Sequence, residues 1–137
     1  ISFTKSVNLN RVFEKGYNNR AVIYLEKKNY RESIKDLDTA LQIKPLYFDA
    51  VLNKAIVYRD LKDYKLSLYF HNLALTLNPQ NERAFFERSL TFIRTKEYEF
   101  AIRDLENCIV LNPNDKKYEQ IINQLRVLRK KDVEFKP

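Results

Sequence analysis

Two side chains hold what nucleophilic or metal-binding capacity this 137-residue chain has: His71 and Cys108, its one histidine and one cysteine. A zinc-type site takes three or four His, Cys or carboxylate ligands. No second histidine or Cys/carboxylate cluster stands by to complete one. A Ser-His-Asp set would have to recruit His71 itself. With a single glycine, Gly16, the chain has neither GxGxxG nor the GxxxxGK loop to cradle phosphates. The expectation is a chain with no catalytic residue, no metal and no cofactor. His71 reads as an imidazole filling a packing position, and Cys108 as a small packed residue rather than a reactive thiol.

What remains is recognition chemistry. The stretch "KGYNNRAVIY" sets Asn18, Asn19 and Arg20 among apolar residues, and each amide carries both a donor and an acceptor. Net charge is +7, from 25 Lys and Arg against 18 Asp and Glu. Much of the excess is local, in Arg126, Arg129, Lys130, Lys131 and Lys136, a possible basic patch for RNA or an acidic surface; elsewhere the signs mix, as in "RESIKDLD". A solvated helix face is the plainer reading of that patch. No interleaving of aromatic and basic residues supports stacking on single strands, so a nucleic-acid partner is not expected. The longest apolar runs, such as "AVIYL", fall far short of the roughly 18 residues that span a bilayer, so a membrane partner is not expected either. The lone cysteine, without CxxC or a secretory leader, points to a reducing, cytoplasmic setting, with the cilium or cytoskeleton as one place within it. The chain begins with Ile and contains no Met, which reads as a piece of something larger, or processed.

The elements that position these residues are set by a period of 34. Pro45, Pro79 and Pro113 are spaced by it, as are Tyr30, Tyr64 and Tyr98; Ser33, Ser67 and Ala101; Ala40, Ala74 and Cys108; and Ala21, Ala55 and Ser89. His71 falls one period from Leu37 and Leu105. Between prolines, apolar residues recur at three- and four-residue steps twice per repeat, which is helical spacing. Breaks near "LEKKNY", "LKDYKL" and "RTKEYE" divide the two helices, and the proline ends the second. Asn29 and Glu32 have the spacing of a reciprocal N-terminal cap. Small residues let the paired helices approach, and larger ones fill between hairpins. One hairpin cannot bury its own apolar face, whereas a stack can.

The pattern Tyr17, Ala21, Tyr24, Ser33, Leu37, Ala40, Pro45, then Val51, Ala55, Tyr58, Ser67, His71, Ala74, Pro79, then Phe85, Ser89, Phe92, Ala101, Leu105, Cys108, Pro113 resembles the tetratricopeptide repeat (TPR). The departures are Val51 for an aromatic, Arg20, Lys54 and Arg88 for the family's usual leucine, and Ala or Ser for its usual glycine. The resemblance implies an all-α fold, a TPR α-solenoid of antiparallel helix hairpins with three full repeats, a preceding half repeat and a C-terminal capping helix. Residues 1–11 read as the second helix of a truncated preceding repeat, with Phe3 and Ser6 one period before Leu37 and Ala40. Repeats follow at 12–45, 46–79 and 80–113, then a capping helix and tail at 114–137, where Asn123 and Arg126 replace the small and aromatic residues of a repeat.

The resemblance also implies a function: a non-catalytic protein-protein scaffold whose first helices line a concave face. At helical steps that face would carry Lys15, Asn18, Asn19 and Val22; Leu52, Asn53 and Ile56; and Arg83, Phe86, Glu87 and Leu90. Val22, Leu52, Ile56, Phe86 and Leu90 would form an apolar floor for a protein or peptide segment. The family's two-carboxylate clamp for chaperone C-terminal tails falls on Asn18, Val22, Asn53, Arg83 and Glu87, where two of five positions match and Glu87 repels a carboxylate. A chaperone tail is therefore not the expected partner. An alternative is a structural part of a large fixed assembly, ciliary or cytoskeletal, contacting neighbours through convex faces and ends.

Overall fold

The computed structural model describes the backbone of residues 3–135 and the side chains of residues 13–132. Among these residues all regular structure is helical: α1 (Phe3–Glu26), α2 (Tyr30–Ile43), α3 (Phe48–Asp60), α4 (Tyr64–Leu77), α5 (Glu82–Arg94), α6 (Tyr98–Leu111) and α7 (Lys117–Phe135). None of these helices is long and apolar enough to cross a membrane. The side chains of Phe3, Ser6 and Lys136 lie outside the described residues.

Helix ends follow from local chemistry that repeats with the period. The second helices stop at Ile43, Leu77 and Leu111, two residues before Pro45, Pro79 and Pro113. The residue before a proline is pushed out of the helical region, and Lys44 and Asn112 indeed have ψ of 92° and 77°. The first helices end differently. Lys28, Lys62 and Lys96 take the left-handed conformation, with φ of 62°, 66° and 61°. Around each, two backbone bonds close a Schellman turn, such as Lys28 N–H to Leu25 C=O (2.9 Å) and Asn29 N–H to Tyr24 C=O (2.8 Å).

That turn corrects the cap expected at Asn29. Its side chain makes no capping bond, and the backbone N–H that Glu32 would have to reach bonds the Tyr24 carbonyl instead. Side-chain caps occur instead where the sequence pattern did not single them out: Asp63 Oδ1 accepts Leu66 N–H (3.2 Å), and Asn81 Oδ1 accepts Ala84 N–H (2.9 Å).

Two compact units are present, Ile1–Leu77 and Asn78–Pro137. In the first, α1 pairs with α2 and α3 with α4, and α3 also packs on α1 and α2. Ser33 Oγ donates to Ala21 C=O (2.8 Å) and, one period on, Ser67 Oγ donates to Ala55 C=O (2.7 Å), so the small positions bond across each hairpin. Ala21, Leu37, Ala40, Ala50 and Val57 form a buried cluster flanked by Tyr17, Tyr30 and Tyr47. His71 and its period-mates Leu37 and Leu105 are all fully buried. In the second unit α5 and α7 pack on α6, around Ala101, Ile102, Leu105, Cys108, Tyr118, Ile122 and Leu125.

Helix α1 differs from expectation. It runs from Phe3 to Glu26 without interruption, so the boundary placed between residues 11 and 12 lies inside it. The reason is in the sequence: one period before Pro45 stands Arg11. Where the other repeats have a ring that clashes with the preceding turn and lacks an N–H, this one has a good helix former.

Candidate functional site

In the first unit the first-helix residues divide by exposure. Lys15 and Asn19 are exposed and Val22 is half-buried. Asn18, Leu52, Asn53 and Ile56 are buried. Asn53 Nδ2 donates to Asn18 Oδ1 at 2.9 Å. The two amides meet where α3 packs on α1 and spare each other the cost of an unmade buried bond, about 1–3 kcal/mol. Asn53 therefore does not stand beside its period-mate Asn19 to face a ligand, and Leu52 and Ile56 contribute packing rather than an open floor. A shallow cleft of about 240 Å³ lies along α1 beside Phe13, Gly16, Tyr17 and Arg20.

The cations that replace the family's leucine have structural partners. Arg20 donates from Nε and Nη2 to both oxygens of Asp36, each at 2.7 Å, with the Tyr17 and Tyr24 rings 5.6 and 5.9 Å from its guanidinium. Those bonds and the Asp36 charge hold the guanidinium well above the ordinary arginine range. Arg88 repeats the fork on Asp104 at 2.9 and 2.7 Å. Burial pushes the Asp104 carboxyl up, and Arg88 opposes that rise. Lys54, between them in period, donates to Asp38 at 2.7 Å and lies 4.5 Å over Phe70.

In the second unit the first turns of α5 and α7 frame an open cleft of about 380 Å³ lined by Asn81, Glu82, Arg83, Phe86, Lys117 and Tyr118. Lys117 Nζ stands 4.9 Å over the Phe86 ring and 5.1 Å over Tyr118, and the two rings pack at 5.7 Å. The Glu82 carboxylate accepts from the Tyr118 hydroxyl and from Asn112 Nδ2 (3.3 Å), so its charge is turned toward the helix contacts. Burial first, then the bond to Glu82, raises the Tyr118 phenol above its ordinary value. Of the residues expected here, Arg83 is exposed while Phe86, Glu87 and Leu90 are half-buried. Lys117 stands one period after Arg83, where the same helical steps place it on this face, whereas Tyr118, one period after Ala84, was not among the expected site residues.

Cys108 is fully buried, with Sγ 3.5 Å from the Glu82 carbonyl. Burial, with the Glu82 and Asp104 charges, pushes its thiol up to about 12, which suits a packed residue and not a nucleophile. On α7, Arg126, Lys130 and Lys131 are exposed, whereas Arg129 donates to Glu99 on α6.

Hairpins of this length, closed by small residues and ended by prolines at a fixed period, define an α-solenoid built from helix-turn-helix repeats. Residues 14–47 match the family model of the tetratricopeptide repeat. Solved TPR domains share its fold. The first TPR of Spaghetti (RPAP3) bound to the HSP90 peptide SRMEEVD aligns with a TM-score of 0.79 at 20% identity, covering 86% of this chain and 94% of that one. The first TPR domain of human RPAP3 aligns at 0.81 and 21%, covering 90% and 98%. The Sgt2 TPR domain from Aspergillus fumigatus aligns at 0.79 and 17%, covering 90% and 84%. No curated protein matches the chain by sequence.

Proposed function

We propose that this chain is a non-catalytic scaffold that binds a segment of a partner protein on the face presented by the first helices of its hairpins. The observation that carries the reading is the open α5–α7 cleft, where two cations from equivalent repeat positions, Arg83 and Lys117, line one concavity with the Phe86 and Tyr118 rings. Such a mix of an apolar surface and a few convergent polar groups is what peptide sites use. The exposed Lys15 and Asn19 offer the matching face of the first unit.

An acidic chaperone tail is a poor fit, although the first TPR of Spaghetti carries the HSP90 peptide SRMEEVD. At the clamp positions Asn53 is engaged with Asn18, Val22 has no donor, and Glu87 is a carboxylate.

A second reading, contacts through the second helices, is favoured by one observation. Large apolar residues stand exposed there: Tyr69 at 61% and Leu66 at 40% on α4, Val110 at 79% and Phe100 at 47% on α6.

Site-specific photo-crosslinking in cells decides between the two. A crosslinker at Lys15, Asn19 or Arg83 is expected to capture a partner protein, and one at Tyr69 or Val110 is expected to capture none. The opposite pattern assigns function to the second helices and overturns the first-helix reading.

A further inference from the structure

On α5, Arg83, Phe86, Leu90 and Arg94 recur at three- and four-residue steps, so one stripe carries two apolar side chains with a cation at each end. The stripe covers 12 residues, roughly 16 Å of helix. Helix α7 offers a companion stripe, Lys117, Ile121 and Leu128, with Ile121 half-buried and Leu128 42% exposed. Val127, at 56%, extends its apolar surface. Both helices pack on α6 within one unit, and the Phe86–Tyr118 and Lys117–Phe86 contacts join their N-terminal ends.

The acidic groups nearby are largely committed. Glu82 accepts from Tyr118 and Asn112. Glu87 is half-buried and already engaged. Asp115 lies 3.6 Å from Lys117 as a loose surface pair, and Asp132 sits beside Lys131 at the far end of α7. Arg83 and Arg94 thus stand exposed around an apolar strip, and Lys117 beside them holds only the loose Asp115 pair.

Resting on the first-helix reading, we propose that this α5–α7 face docks an acidic amphipathic helix of a partner protein. Its apolar side chains would lie against Phe86, Leu90 and Leu128, and its carboxylates toward Arg83 and Lys117. This differs from a two-carboxylate clamp, because the second cation comes from α7 and the apolar strip carries the specificity. Charge-assisted bonds fix the register, and burial of the strip supplies the affinity.

The test uses the 137-residue chain and a synthetic peptide of about 15 residues, with Leu at i, i+4, i+7 and i+11 and Glu on the flanking positions, enough for four helical turns. Calorimetric titration is compared with the Lys-for-Glu twin, a scrambled acidic peptide and poly(U) RNA. The acidic helix is expected to bind, and the other three to bind at least about tenfold more weakly, the factor that one charge-assisted bond commands. Arg83→Glu with Lys117→Glu should weaken the acidic helix by at least about tenfold, and Leu128→Ser by a few-fold, with unchanged helicity. Leu128 is a surface position, so its variant reads the strip without touching the core. Equal binding of the Lys twin, the scrambled peptide or the RNA, or indifference to both variants, overturns the proposal. If it is overturned while crosslinks from Lys15 and Asn19 still capture a partner, only this site falls and the first-helix reading stands.

Discussion

The first and third hairpins lock an arginine of the first helix onto a buried aspartate of the second, Arg20 on Asp36 and Arg88 on Asp104. The second hairpin keeps the cation and changes its partner: one period from both aspartates stands Phe70, with Lys54 over its ring. A buried carboxylate requires a committed donor, because leaving it alone is costly. An aromatic ring requires nothing, and the lysine gains a weaker attraction to its face. The middle hairpin thus lacks the fork, its Lys54 bonding Asp38 of the preceding hairpin, and presents aromatic surface instead, with Tyr58 stacked on Phe70 at 5.7 Å and Tyr69 against it at 5.1 Å.

Removing one member of the ion pair should produce the largest effect. Arg88→Ala leaves Asp104, 2% exposed, without its donor and should destabilise the chain by about 3 kcal/mol at pH 7 in chemical denaturation. The folded-state carboxyl then rises further above its unfolded value. A raised carboxyl favours the fold below its unfolded titration range and loses that advantage as pH rises, so the deficit should shrink toward pH 4. Arg20→Ala should cost less, because the Arg20 side chain is 56% exposed and water can replace it.

The third hairpin is also distinguished by Cys108, where the others have Ala40 and Ala74. With the folded thiol pushed up to about 12 from 9.0, the unfolded chain loses its proton first as pH rises. The thiol's contribution to stability should be constant below about pH 9 and fall between 9 and 12, and Cys108→Ala should make that decline shallower. Maleimide labelling of Cys108 at pH 8 should track global unfolding rather than proceed in the folded chain.

A smaller effect converts one hairpin into the other. Phe70→Asp alone should destabilise, and adding Lys54→Arg should recover about 1 kcal/mol as the fork forms, read as the coupling term of a double-mutant cycle. Independent, additive losses would mean that the backbone of the middle hairpin does not hold the pair in reach. Smallest and alike in all three hairpins, Lys28→Gly, Lys62→Gly and Lys96→Gly should each raise stability by roughly 0.5 kcal/mol in thermal melts. Each relieves a left-handed side chain, offset by the freer unfolded glycine.

The hairpins are legible in the sequence because one length, 34, governs prolines, small residues and aromatics together, each with a packing reason. Details that break the period are not. Asn53 bonds Asn18, one residue off its period-mate Asn19, since side chains meet across a helix contact by geometry and not by repeat number. The Schellman turn takes up the Asn29 N–H that Glu32 would have needed for the reciprocal cap, because a backbone donor has one proton to give. Arg11 let α1 run on, a loss of signal visible only once the missing proline is looked for. At the candidate site, the exposed Arg83 and Lys117 followed from helical spacing, while the part played by Tyr118 required knowing which rings touch.

The serine bonds that close the first two hairpins, Ser33 to Ala21 and Ser67 to Ala55, join residues 12 apart. The longest-range side-chain bond named above, Tyr118 to Glu82, spans 36. A chain tied by such short loops has little entropy to surrender before contacts form, since a loop of about ten residues closes in roughly 10–100 ns. Refolding should accordingly be fast, on the microsecond-to-millisecond scale of locally connected helical proteins, and a hairpin opened to admit a partner should reclose on that same scale.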